Sequence, residues 1–206
     1  MKDKKLVHGV GINDADYIVQ KFETIGYNDK GKRIRKRIWL CPFYQRWTSM
    51  LSRCYSEKCK ARRPNYYNCF VVPEWHYFMT FRAWMIEQDW EGKHLDKDLL
   101  LPGNKVYGPD TCVFVDSRVN NFITESNAAR GEWPIGVSFH KASGKFRAEC
   151  GDTGTGKQKY LGLYNDSEEA YQAWLNFKLE QAHILAEEQS DSRISKALIE
   201  RYKNYK

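Results

Sequence analysis

The chain has 206 residues, 42% of them hydrophobic and 15% aromatic, which is apolar side chain enough for one medium core or two small ones. Nowhere do about 18 apolar residues run together, and the lysines of MKDKKLVHGVG lead into no apolar run. A membrane span and a secretory leader are therefore not expected, and the expected compartment is the cytoplasm.

The net charge of +7 is concentrated near the N-terminal end: from Lys30 to Arg63 there are twelve Lys or Arg residues against one acid, Glu57. Trp39, Tyr44, Trp47, Tyr66 and Tyr67 are interleaved with them. Cations displace counterions from phosphates and aromatic rings stack on bases, so Arg33, Arg35, Arg37, Arg46 and Arg53 are expected contacts to nucleic acid; the alternative is a solvated basic face. Within this block Phe43, Tyr44, Trp47, Met50, Leu51, Cys54 and Tyr55 recur at helical spacing behind Pro42, which suits a first helical turn. Arg46 and Arg53, seven apart, fall on the other face of that helix and are expected to point at a partner.

A second aromatic helix is expected from about Glu74 to Trp90, with Trp75, Phe78, Phe81 and Met85 on one side and Gly92 ending it. The six cysteines contain no C-x-x-C pair and read as buried free thiols. A zinc held by Cys41, Cys54, Cys59 and Cys69 lacks the usual close pairs and is not favoured.

Residues 94 to 121, HLDKDLLLPGNKVYGPDTCVFVDSRVNN, read as strand, turn, strand and a short helix capped by Asp116 or Ser117. Strand alternation sets His94, Asp96 and Asp98 on one face and turns Lys97 away. Two readings stay open: His94 is a base beside aspartates that bind Mg²⁺, or His94 sits in the turn after Gly92 and the aspartates simply pair with Lys93, Lys97 or Lys105.

Thr124 to Pro134 has low periodicity and reads as a linker. Three short strands follow, GVSFHK, KFRAEC and KQKYLGLY. Period two puts Val137, Phe139, Phe146, Ala148, Cys150, Leu161 and Leu163 inward, with a face switch near Gly162, and leaves Ser138, His140, Arg147 and Glu149 outward. A helix capped by Asp166, with Glu169 completing a capping box, carries Ala170, Ala173, Trp174, Phe177 and Leu185 to the apolar side. A last helix capped by Asp191 uses Ile194, Leu198, Tyr202 and Tyr205.

The segment GVSFHKASGKFRAE followed by YLGLYNDSEEAYQAW resembles the plant-type APETALA/ethylene-response-factor DNA-binding domain, over roughly residues 134 to 186. That resemblance implies a three-stranded sheet lying in the major groove and a helix supporting it from behind. It implies DNA contacts at Ser138, His140, Arg147, Glu149 and Tyr160, with Lys141, Lys145 and Lys157 on phosphates. Ser138 and His140 stand where those domains usually carry arginines.

Together with GVGINDADY, CPFYQRWTSMLSRCYS and LDKDLLLPGNKVYGPDTCVFV, this arrangement resembles bacteriophage HNH homing-type endonucleases over nearly the whole chain. The resemblance implies a metal site in which Asp96 matches the acidic ligand and Asn120 (or Asn121) the helix position. Lys97 stands where the family has its catalytic histidine, and Thr111 or Cys112 where it has its middle asparagine. A lysine is protonated at neutral pH, so Lys97 is a poor base and a good phosphate clamp.

The expected fold is α+β: a basic helical region over residues 1–123 with an HNH-like ββα remnant at about 94–123, a linker at 124–133, and a three-stranded antiparallel sheet packed on one helix, plus a C-terminal helix, over 134–206. The expected function is binding of duplex DNA with a degenerate nuclease site, in the host cytoplasm if the chain is phage-encoded. Two alternatives are an active Mg²⁺-dependent endonuclease using His94, Asp96, Asp98, Lys97 and Asn120, and a non-catalytic phage factor acting on a host protein or nucleoprotein.

Overall fold

A computed structural model describes residues 6–124 and 132–205, and the fold is mixed α+β. The chain forms two compact units. The first holds the described residues up to Asp98 together with Gly103–Phe114, and the second holds Leu99–Pro102 and the described residues from Val115 onward. Most of the Thr124–Pro134 linker lies outside the described residues.

The first unit opens with a turn at Val7–Gly11 that presses Gly11 against Leu51 and Trp47, so closely that a Cβ at Gly11 would collide with both side chains. Two long strands follow, β1 (Gln20–Tyr27) and β2 (Arg33–Leu40), paired antiparallel. No strands are expected here from the sequence, although RIRKRIW places Arg at every second position from Arg33 to Arg37. Helix α1 (Pro42–Tyr55) forms as its spacing requires and buries Tyr44, Trp47, Met50, Leu51 and Cys54. Its Trp47 indole N–H donates to the carbonyl of Trp75 at 2.7 Å, tying α1 to the next element inside the core. Short helix α2 (Glu57–Arg62) continues the basic run.

The expected Glu74–Trp90 helix is broken and shorter. Strand β3 (Phe70–Val71) and a 3-10 turn at Pro73–His76 come first, and helix α3 spans only Phe78–Ile86. The break falls at Tyr77, which is extended (φ −88°, ψ 125°) because the neighbouring backbone groups bond Ile12: Ile12 N–H donates to His76 O and Phe78 N–H to Ile12 O. The assigned apolar residues nevertheless face inward, since Trp75, Phe78, Phe81 and Met85 are all buried. Strand β4 (His94–Asp96) pairs with β6 (Val113–Val115), and β5 (Val106–Tyr107) runs parallel to β3.

In the second unit, α4 (Ser117–Ile123) is capped by the Asp116 carboxylate, which accepts from Val119 N–H at 2.7 Å. Strands β7 (Val137–His140), β8 (Lys145–Gly151) and β9 (Gln158–Tyr164) form an antiparallel sheet in that order. Helix α5 (Ser167–Glu187), capped by Asp166, packs across it with Ala170, Trp174, Phe177, Ala182 and Leu185 buried. Helix α6 (Ser192–Lys203), capped by Asp191, adds Ile194, Leu198 and Tyr202 to this core. Gly136 has a left-handed φ of +77°, and a Cβ there would run into the Trp174 indole, so both the turn and the close approach require glycine.

Candidate nucleic-acid interface

On the three-stranded sheet, register decides which residues face outward. Val137 pairs with Ala148 and Phe139 with Phe146, which puts these four on the side of fully buried Ala148. Ser138 pairs with Arg147 and His140 with Lys145, on the opposite side. Across β8 and β9, Arg147 pairs with Leu163, then Ala148 with Gly162, and after an irregularity Glu149 pairs with Tyr160. The extra residue is Leu161, next to Gly162 at φ +144°.

The bulge corrects one inward assignment: Leu163 lies outward beside Arg147 and is 36% exposed. Phe139 keeps the inner register and packs against the Trp133 and Phe146 rings, but it is 44% exposed. The outer face therefore carries Ser138, His140, Lys145, Arg147, Glu149, Tyr160 and Leu163. Lys141 lies in the β7–β8 turn and Lys157 in the β8–β9 turn, both exposed. Arg147 and Glu149 are ion-paired at 3.0 Å, and His140 Nδ1 lies 2.9 Å from the Ser143 hydroxyl.

Gln181, which the sequence reading passed over, fixes the turn that presents Lys157. Buried in α5, it accepts from both the N–H and the hydroxyl of Thr153. The signal for it was a lone polar residue on the apolar stripe of a helix. Lys159, the neighbour of Tyr160, pairs with Cys150 on the helix side of the sheet and, though exposed, sits 4.4 Å from the Phe177 ring centroid.

In the first unit, the C-terminal half of α1 and helix α2 line a cleft of about 400 Å³ with Ser49, Ser52, Ser56, Arg53, Lys58, Arg62 and Arg63, and with no acid in its wall. Hydroxyl donors among four cations suit a phosphate. Arg46 and Arg53 do share a neighbourhood, since burial and then the charge of Arg53 hold Arg46 below its ordinary value. Arg53 departs from the expectation that it points at a partner. Its guanidinium packs 5.7 Å from the Tyr66 ring and donates to the Tyr107 hydroxyl at 3.4 Å. Burial opposes its charge, but Tyr107 and Tyr66 outweigh that and raise its pKa.

Asp96, Lys97 and Asp98 are tied into the end of β4 and the loop that follows it. Strand β4 ends at Asp96, whose Oδ1 accepts from Asp98 N–H at 3.0 Å, so the chain bends there and Asp98 is not on the strand. Lys97 is 5% exposed and turned inward. Its ammonium donates to Asp98 Oδ2 at 2.8 Å and to the carbonyl of Asn104 at 2.7 Å. Burial opposes that charge, the Asp98 carboxylate outweighs burial, and the net effect raises the lysine above its ordinary value. Lys97 is thus neither a phosphate clamp at the surface nor a base. The plain pairing reading holds for Asp98, whereas Lys93 pairs with Asp89.

The loop between β4 and β6 is pinned by Asn104. Its amide donates to the carbonyls of Lys97 (2.6 Å) and Val106 (2.7 Å), and its Oδ1 accepts from Val106 N–H at 3.1 Å. The resemblance to HNH nucleases implies the loop-stabilising position at Thr111 or Cys112 instead. Thr111 adds a hydroxyl bond to Val106 O, while Cys112 is fully buried.

The Lys97 ammonium is thus ion-paired with one of the two aspartates considered for a cation. His94 is exposed on β4, and Asn120 belongs to the second unit. Among the described residues no three His, Cys, Asp or Glu side chains come together as a metal would need, the four cysteines considered for zinc included. Cys41, Cys54, Cys69, Cys112 and Cys150 are buried free thiols and Cys59 is partly exposed. No described helix is long and apolar enough to cross a membrane.

No protein-family model, curated protein or solved structure matches this chain.

Proposed function

We propose that this protein binds duplex DNA through the outer face of its C-terminal sheet, and that the Asp96 region is a structural remnant of a nuclease-type site. The observation that carries the reading is the sheet itself. Helix α5 covers one side, and the other presents Lys145, Arg147, Glu149 and Tyr160 between the turn lysines Lys141 and Lys157. A sheet face placed in the major groove reads base edges with Arg and Glu, while lysines at its ends fix it on the backbone. The likeness to APETALA/ethylene-response-factor domains, with strand order and capped helix as described, points the same way.

Reading base edges with this face requires the Arg147–Glu149 pair to open or to act as one unit. The remnant reading is supported by the Lys97–Asp98 pair, which supplies neither a base nor an open cation seat. A hydrolytic site without a positioned base loses typically 10²- to 10⁴-fold in rate.

The test combines a labelled duplex and supercoiled plasmid with the purified protein in Mg²⁺ or Mn²⁺. Binding without nicking is expected. Metal-dependent nicking that disappears in Asp96→Ala and His94→Ala would overturn the remnant reading, and absence of duplex binding would overturn the binding reading.

A further inference from the structure

The β1–β2 hairpin is exposed on both faces. From Lys21 to Trp39 every residue except Gly26 is exposed, so neither face of the ribbon rests on a core. Only its base is anchored, where Cys41 N–H donates to the carbonyl of buried Val19 at 2.8 Å. Its tip is built rather than slack: Asn28 Oδ1 accepts from Lys30 and Lys32 N–H, and Gly31 takes a left-handed φ of +69°.

A two-stranded hairpin is marginal in water on its own, so a long one held free of the core is poised for a partner.

Its register sorts the side chains. Phe22 pairs with Arg37, Thr24 with Arg35 and Tyr27 with Arg33, so three arginines and two aromatic rings share one face. The Arg35 guanidinium lies 4.8 Å from the Phe22 ring centroid, in keeping with that sharing. Ile34 and Lys36 fall on the opposite face, with Glu23 beside Lys36. Among the described residues none of Arg33, Arg35 and Arg37 is in an ion pair, and Lys30 and Lys32 extend the charge to the tip.

We infer that the β1–β2 ribbon is a groove-binding arm whose arginine face enters the major groove of duplex DNA. This rests on the reading of the chain as a duplex binder, and it assigns a second element to that function, in the first unit. The dimensions agree. Two strands about 4.8 Å apart fit a groove about 12 Å wide, and eight residues at about 3.3 Å each span about 26 Å, long enough to enter it. The charge agrees as well: arginines in a row complement phosphates lining a groove and bond guanine edges within it, whereas the acids of the ribbon, Glu23 and Asp29, lie off the arginine face or in the tip turn.

The experiment is equilibrium binding of the full chain to a labelled duplex over a salt series, comparing wild type with R33Q/R35Q/R37Q, R33K/R35K/R37K and I34Q/I38Q. All five positions are exposed, so the core is untouched. Removing three cations should make the plot of log affinity against log salt shallower by up to about 2.7, at about 0.9 for each arginine that neutralises a phosphate. The lysine variant should keep the slope, and the isoleucine variant should keep the affinity.

An unchanged slope in R33Q/R35Q/R37Q overturns the arm and leaves sheet-mediated binding standing. Loss of duplex binding in I34Q/I38Q alone overturns the face assignment and with it the inference. So does arginine-dependent binding to equimolar phosphatidylserine and phosphatidylcholine vesicles without duplex binding, or an arginine-dependent dimer in sedimentation without it. Failure of the wild type to bind duplex at low salt removes both the arm and the duplex reading.

Discussion

The Lys97 ammonium lies 2.8 Å from Asp98 Oδ2, so a side-chain cation of the protein itself sits against this carboxylate. Lys97 is buried and its second bond, to the Asn104 carbonyl, ties the end of β4 to the loop that Asn104 pins. The arrangement holds a loop in place. It offers no base.

Removing the acid should therefore cost stability. Asp98→Ala leaves a buried ammonium with only a carbonyl partner, and a loss of about 2 kcal/mol is expected from denaturant unfolding. The pH dependence has a definite sign. The folded-state pKa of Lys97 is raised, so its contribution is complete below the ordinary lysine value of 10.5 and is lost as pH rises through the raised value. Lys97→Met should lack that alkaline part of the stability loss. An identical alkaline profile in both proteins would show that the pair contributes nothing.

Thiol chemistry checks the core of the first unit. Burial pushes the Cys54 and Cys112 thiols up to about 12, whereas Cys59 is partly exposed. At about pH 8 a thiol reagent should label Cys59 first and reach Cys54 and Cys112 only on unfolding. A chelator should leave the pattern unchanged. Fast labelling of Cys112 in the folded protein, or a burst of labelling on chelation, would contradict this packing.

The two faces of the C-terminal sheet can be separated by substitution. Arg147→Ala should weaken duplex binding by roughly 1 to 3 kcal/mol and leave the melting temperature nearly unchanged. Trp174→Ala should cost about 3 to 5 kcal/mol of stability by emptying the space between sheet and helix. Leu163→Lys decides the bulge, because an outward Leu163 tolerates lysine. Unfolding by Leu163→Lys would return that residue to the core.

Much of this was legible in the sequence because it depended on local rules. Pro42 with its apolar spacing marked α1, Asp116, Asp166 and Asp191 marked three helix starts, and strand alternation separated Ala148 and Cys150 from Arg147 and Glu149. What escaped depended on contacts distant in sequence or on single backbone irregularities. The break at Tyr77 comes from bonds to Ile12, the outward turn of Leu163 from one bulged residue, and the inward turn of Lys97 from a carboxylate next door and Asn104 seven residues on. The β1–β2 ribbon escaped for another reason: its arginines read as surface charge, and the alternation of RIRKRIW is broken by Lys36, as strands that bury neither face allow.

The central claim is that this protein is a duplex-DNA binder, and the most direct measurement is equilibrium affinity for a labelled duplex between about 50 and 200 mM salt. With roughly 6 to 10 phosphate contacts shared among the sheet lysines and the N-terminal cations, affinity should fall about 10³-fold or more across that range. A flat salt profile, or no binding at 50 mM salt, would contradict it.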